Sequence, residues 1–228
     1  MANLKTHRIN QTGLLLAVCI ASAMLGFALR DNKTIAAKTY PALILQQSDE
    51  KVIEKYDHGN EPVELDNLSI KTVKIAPGQK FSAKAITEMG GGRVEDWLEN
   101  LEFTINNKAN KQITFILIEF QFPETDASGA RMVYNKLGIG IPPKASANAL
   151  KYSKQLALNS GDTTTYTLST RDLTLIKDFL ALNKFQLADL NEMAIRLVYV
   201  IFDDGMKWEL RHYYRPNPGM PGGYELVN

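Results

Sequence analysis

The chain has 228 residues, 45% hydrophobic and 22% charged, with a formal net charge of +1, enough for one good core or two small ones. Its first thirty positions hold Lys5, Arg8 and Arg30 but no Asp or Glu, leaving 23 of the 26 basic residues to face 25 acidic ones. Nucleic acid is excluded as a partner class, because its binders carry the large basic excess that phosphate neutralisation requires.

The basic start leads into an uncharged apolar run from Gly13 to Leu29. A positive segment followed by such a run predicts a signal peptide or a single membrane anchor within residues 1–30. Ala21-Ser22-Ala23 and Gly26-Phe27-Ala28 each place small residues as a cleavage site requires. The run of about 17 residues is also just long enough to span a bilayer, and its flanking charges favour a cytoplasmic N-terminus and an exported remainder. The only cysteine, Cys19, lies inside this run. Leu16-Ala17-Val18-Cys19 fits a lipoprotein box poorly, since Val18 is large and apolar residues continue beyond it. The exported part therefore has no disulfide and holds together by packing, which suits a bacterial envelope protein better than a small disulfide scaffold.

Residues 31–62 read as a linker that, if flexible, spans on the order of 30 Å. Its middle, Ser48 to Tyr56, is compatible with a short helix. From Val63 the hydrophobic period becomes two. Leu101, Phe103 and Ile105 alternate with Glu102, Thr104 and Asn106, which predicts a strand with one buried face. After the polar stretch Asn107–Lys111, Ile116, Ile118, Phe120 and Phe122 share one face of a second strand over Ile113–Phe122. Phe115 and Leu117 lie on its other face with Glu119 and Gln121. Two such strands joined by a short turn predict an antiparallel hairpin. Further strands are expected at 68–75, 80–86, 133–139 and 163–168, the last with Tyr166 and Leu168 inward. A helix is expected over Thr170–Phe185, with Leu173, Ile176 and Leu180 inward, Ser169 or Thr170 as N-cap and Asp172 in the first turn.

A continuous β-rich run follows at Ala194–Phe202. Asp203-Asp204-Gly205 reverses the chain, since Asp-Gly tolerates positive φ. Met206–Tyr214 is expected to return as one strand, with Met206, Trp208 and Leu210 inward and Lys207, Glu209, Arg211 and Tyr213 outward. The Pro- and Gly-rich residues 216–228 read as a surface loop or extended arm. Short strands at this spacing predict a sandwich or barrel.

The 101–115 segment resembles a hairpin of immunoglobulin-like or fibronectin-III-like bacterial domains. Phe202-Asp203-Asp204-Gly205-Met206-Lys207-Trp208, followed by Tyr214-Arg215-Pro216-Asn217-Pro218, is similar to the close of a group of uncharacterised exported bacterial proteins with a β-sandwich. The resemblance covers roughly residues 64 to 218 and implies a fold without an established activity. The long linker and the 170–185 helix depart from a typical small sandwich.

Little of the chain points to chemistry. Asp203 and Asp204 could meet calcium, but the alternating acids of a calcium loop are absent and the hairpin turn accounts for them. Gly90-Gly91-Gly92-Arg93 lacks the ending of a phosphate loop and reads as an inter-strand loop whose Arg93 could touch a partner. His7, His58 and His212 stand at no metal-ligand spacing, and no serine has a nucleophile-elbow context. Neither catalytic, cofactor-binding nor metal-ligating residues are expected; an enzyme would require a spatial triad assembled around His212. Asn32-Lys33-Thr34 and Asn67-Leu68-Ser69 match the glycosylation acceptor pattern.

The recognition candidates are Arg93, Tyr213 and Tyr214. Trp97 and Trp208 are further aromatics, with Trp208 placed in the core by alternation. The expectation is an all-β protein, an immunoglobulin-like antiparallel β-sandwich over residues 63–215 with one inserted helix and an N-terminal signal or anchor helix. It would be exported to the periplasm or beyond, held in the inner membrane through residues 13–29 if uncleaved. It would act as a protein-interaction module of the bacterial envelope. A carbohydrate-binding module for surface glycans is the alternative, and an enzyme trails both.

Overall fold

A computed structural model describes residues 48–90, 93–128, 132–142, 154–220 and 222–227. The expected signal or anchor helix, Cys19 and the linker up to residue 47 lie outside the described residues. By its contacts the chain divides into Met1–Leu43 and Ile44–Asn228, and everything described belongs to the second unit.

That unit is built from β1 (Glu50–Tyr56), β2 (Val63–Ile70), β3 (Val73–Lys74), β4 (Lys80–Ser82), α1 (Ala83–Gly90), β5 (Leu101–Asn107), β6 (Ile113–Phe122), β7 (Val133–Gly140), β8 (Thr163–Thr167), α2 (Thr170–Leu182), β9 (Glu192–Phe202), β10 (Lys207–Glu209), β11 (His212–Pro216) and β12 (Tyr224–Leu226). The small sheet has the order β3-β2-β5-β8. In the large sheet β9 is central: β6 and then β7 lie on one side, while β1-β4 and β10-β11-β12 share the other. Leu65, Phe103 and Ile105 of the small sheet join Ile53, Phe120 and Leu197 of the large one in a single core, so the expected β-rich two-sheet organisation holds. The large sheet is mixed, because β1 runs parallel to β9 from Val52↔Glu192 to Tyr56↔Arg196.

Several expectations change. Residues 50–56 form strand β1, not a helix. Val52 and Glu54 are half-buried, Lys51 and Ile53 fully so, a period-two burial that pairing with β9 reinforces. Residues 68–75 are not one strand. β2 and β3 meet through Lys71 and Thr72, both at positive φ (48° and 74°). Residues 80–86 split into β4 and α1, because Ser82 Oγ and Asp49 Oδ1 accept the first free amides of the helix, from Ala85 and Lys84.

The 101–107 and 113–122 strands do not form a hairpin. β5 pairs with β2 and β8, and β6 pairs with β7 and β9. The connection crosses from one sheet to the other around buried Asn107, whose side-chain amide donates to Lys111 O (2.8 Å) and Leu158 O (2.9 Å) and whose Oδ1 accepts from Ala109 N. Satisfying a buried amide inside the bend fixes an arch where a hairpin would leave it exposed. Helix α2 forms as expected, with Ser169 and Asp172 in a reciprocal capping box. Tyr166 donates to Asp172 Oδ2 (2.7 Å). Burial and that carboxylate push the tyrosine hydroxyl's pKa above its usual range.

The return strand after Gly205 (φ 80°) is also broken. Leu210 (φ 47°) and Arg211 (φ 79°) are a two-residue turn that folds 212–216 back onto β10. The tail does not trail away either, since Tyr224–Leu226 pairs with β11 as β12. Positive φ at both central residues is the primed-turn geometry that Asn-Gly favours and that Cβ-bearing Leu-Arg resists. The double change Leu210→Asn with Arg211→Gly should therefore raise unfolding free energy by about 1–2 kcal/mol. Urea denaturation followed by circular dichroism checks this, and a loss of stability would show that this turn carries no strain.

Candidate functional site

The hidden turn at Leu210–Arg211 decides which aromatics face outward. Because it consumes two residues, Trp208 pairs with Tyr213 and Lys207 with Tyr214. Paired residues share a face, so Tyr213 joins Trp208 inside and Tyr214 joins Lys207 outside. This inverts the phase that uninterrupted alternation predicts. On the far edge Pro216 pairs with Tyr224 and Tyr214 with Leu226, which places Tyr224 outward too. On the near edge Glu209 pairs with Tyr199.

The outer face of β9–β12 thus gathers three half-buried tyrosines around one ammonium. Lys207 Nζ lies 4.8 Å from the ring centre of Tyr224, 4.9 Å from Tyr214 and 5.9 Å from Tyr199. The Lys207 side chain is 17% exposed and ion-paired to Glu209. Cation–π attraction of this kind is worth about 0.5–2 kcal/mol per contact, rising with desolvation. The ring of Tyr199 packs against Phe115 at 5.6 Å. Burial, with Glu209 and Tyr224 nearby, pushes the Tyr199 hydroxyl's pKa up, so it stays a neutral donor. Phe115 in turn lies over Gly138 of β7, where an added Cβ would come within 3.1 Å of the ring. Arg215 and Glu225 form an ion pair on the opposite face of the same strands. The patch is therefore aromatic and close to charge-balanced. Such a surface recognises by contact and hydrogen bonding.

Of the sequence candidates, Tyr214 belongs to this face. Tyr213 lies on the opposite one, stacked on Phe202 at 6.2 Å. Arg93 is exposed at the entrance to the 94–96 turn. That turn packs on the 187–189 turn preceding β9, whereas Tyr214 lies beside the far end of β9. Arg93 and Tyr214 are separated by much of the length of an 11-residue strand, on the order of 30 Å. Trp97 and Trp208 are core residues, 2% and 0% exposed. Lys207 was placed outward but not named as a contact, and Tyr199 and Tyr224 escaped the sequence reading. Tyr199 sits in a run apolar on both sides, and Tyr224 in a tail without strand periodicity.

Asp203 and Asp204 act as turn residues. Asp203 Oδ1 accepts from Asp204 N, Asp204 Oδ1 from Met206 N, and Asp204 Oδ2 from Lys111 Nζ. Lys111 keeps the Asp204 carboxyl below its ordinary pKa, although burial opposes this. Among the described residues no group of three or more His, Cys, Asp or Glu is placed to hold a metal. His212 is exposed beside the 210–211 turn and pairs with Glu209 across the strands. Asn67 is exposed on a bulge of β2, whereas Gly91 and Gly92 lie outside the described residues. A shallow, polar depression of about 460 Å³ opens over the Lys71–Thr72 turn beside Asn100 and Glu102, and Lys71 within it pairs with Glu99 at 3.3 Å.

Among the described residues no helix is long and apolar enough to cross a membrane. No protein-family model, curated protein or solved structure compared with the chain matches it.

Proposed function

We propose that this chain is an exported binding module of a bacterial envelope, an immunoglobulin-like sandwich that holds a protein partner through the outward tyrosine face of its C-terminal strands. The observation that carries this reading is the gathering of Tyr199, Tyr214 and Tyr224 around Lys207 on a solvent-facing sheet. Tyrosines with few rotamers and a polar tip are the residues that concentrate binding energy in protein interfaces. Leu226 and Val227, both exposed, extend the surface with apolar area beside the short edge strand β12. The two-sheet core and the arch between β5 and β6 support the immunoglobulin-like assignment. The basic start and apolar run of residues 1–29 support export.

A surface glycan is the second reading, since tyrosine rings also stack on sugars. Two features weigh against it. Both tryptophans are buried, and the three tyrosine rings converge on an ammonium instead of lying open as a platform.

A photo-crosslinking residue in place of Tyr214 or Tyr224, in expressing cells, tests the assignment. Discrete protein adducts are expected from both positions and not from exposed Lys108 in the β5–β6 arch, with adduct yield falling several-fold when Tyr199 is also changed to alanine. Adducts that carry only glycan would favour the second reading. Equal labelling from Lys108 would remove both. Intact-mass analysis of fractionated cells tests export: a full-length soluble cytoplasmic species would refute it.

A further inference from the structure

The small sheet ends at β8, and this edge differs in chemistry from the others. Leu168 N donates to Leu101 O and Asn107 N donates to Asp162 O. The even-numbered residues therefore turn their backbone groups to β5, and Thr163, Thr165 and Thr167 turn theirs outward. Among the described residues no strand pairs with this outer side.

Natural edges are blunted by charge, proline, bulges, glycine kinks or shortness. β3 has two residues, and β4 has three and runs into α1. β12 has three and carries Glu225. β7 carries Lys136 and ends in Gly140 at φ 100°. β8 reads Thr-Thr-Thr-Tyr-Thr in regular register with β5 and has none of these devices. Its sequence is also nearly symmetric about Thr165.

From this edge we infer that β8 pairs antiparallel with β8 of a second copy of the chain, about a two-fold axis through Thr165, joining two small sheets into one. Thr165 would oppose Thr165 of the other copy, and Thr163 would oppose Thr167, each as a hydrogen-bonded pair exchanging two bonds. Thr–Thr pairs are favourable across strands, and no like charges meet within the strand. After Leu168 and Ser169 the chain enters α2, where Leu175, Phe179 and Leu182 form an exposed apolar stripe at helical spacing. The stripe lies away from the buried Leu173, Ile176 and Leu180 and, where the two-fold brings it against the second copy, would add the apolar area that a five-residue edge alone lacks. This surface is separate from the tyrosine face and stands or falls independently of it.

Cysteine scanning in the full-length chain tests the register, in a Cys19→Ser background and with added oxidant. Thr165→Cys alone should give a disulfide-linked dimer, as should Thr163→Cys combined with Thr167→Cys. Thr167→Cys alone should remain monomeric, because its copies would stand about 13 Å apart, beyond disulfide reach. Thr165→Lys should weaken association on the order of tenfold or more without altering the circular dichroism spectrum. A monomeric Thr165→Cys after oxidation, or crosslinking from Thr167→Cys or exposed Lys108→Cys as efficient as from Thr165→Cys, would overturn the inference.

Discussion

Replacing Lys51 with alanine should lower unfolding free energy by about 3–5 kcal/mol, among the largest single effects in the protein. Lys51 is 1% exposed on the inward face of β1. An ammonium has three donors, and here they reach Ala188 O (3.1 Å), Leu190 O (2.9 Å) and Asn191 Oδ1 (3.0 Å). The same turn is held from the other side by Glu124, which accepts from the backbone amides of Asn191 and Glu192 and from the Asn191 side chain. Alanine would strand the buried Leu190 carbonyl and two part-buried acceptors, and leave a cavity. Lys51→Met keeps most of the volume and should lose about 2 kcal/mol, the part that belongs to the acceptors. Urea denaturation of the two variants separates these contributions. A loss below 1 kcal/mol for alanine would mean that water replaces the ammonium.

A pH dependence accompanies this. Burial lowers the Lys51 pKa from 10.5, more than nearby Glu124, Asp49 and Asp189 raise it. Between the folded pKa and 10.5 the unfolded chain binds more protons than the folded one, so this group makes stability rise with pH in that window. The advantage of the native protein over Lys51→Met should therefore grow on approaching pH 10.5. An advantage that shrinks there would contradict the burial of the charge.

The two tryptophans should respond differently to the same change. Trp97→Ala is expected to cost about 3–5 kcal/mol, as for other large core truncations. Phenylalanine discriminates the pair. Trp97 Nε1 donates to Leu187 O at 3.1 Å, so phenylalanine orphans a buried carbonyl. Trp208 Nε1 is buried with no acceptor among the described residues, so phenylalanine removes an unsatisfied donor along with some volume. Trp97→Phe should cost about 1–2 kcal/mol more than Trp208→Phe. Equal losses, measured by circular dichroism in urea, would show that the Leu187 carbonyl finds another donor. Trp97 also packs on Phe81 at 6.1 Å and lies beneath Lys51 Nζ at 5.8 Å. Both predictions thus probe one junction, where β1, the 94–97 turn and the 187–191 turn lock together.

That junction was invisible to pattern reading because Lys51 looks like any lysine of a polar segment. Its burial follows from β1 joining β9, a pairing between positions about 140 residues apart. By contrast, the residues that alternate or recur by themselves were legible. β5 and the inward sides of β6, β8 and α2 follow from Leu101, Phe103, Ile105, Ile116, Ile118, Phe120, Tyr166, Leu173, Ile176 and Leu180, because a period of two or 3.6 is a local property of the chain. Ser169 and Asp172 announced their cap in the same local way.

The site was legible only by half. Trp208 was placed inside correctly, and Tyr214 was named as a contact, but Tyr213 was assigned to the wrong face. The cause is Leu210–Arg211, a turn with no Gly, Asn or Asp to mark it. Backbone strain there is sustained by β10 and β11 pairing on either side, so tertiary hydrogen bonding overrode local preference. The tyrosine cluster depends on that reversal and on a second one, the return of Tyr224 against Pro216.

The sequence by itself determined where β5 to β9 and α2 run, which of their faces are apolar, and that a basic start precedes an apolar run over residues 13–29. Only the tertiary structure decided which strands pair, that β5 and β6 belong to different sheets, that Lys51 is a core residue, and which tyrosines meet. Side-chain periodicity is written in neighbouring residues. Partner choice depends on the backbone groups and packing of segments remote in sequence, and no local pattern records them.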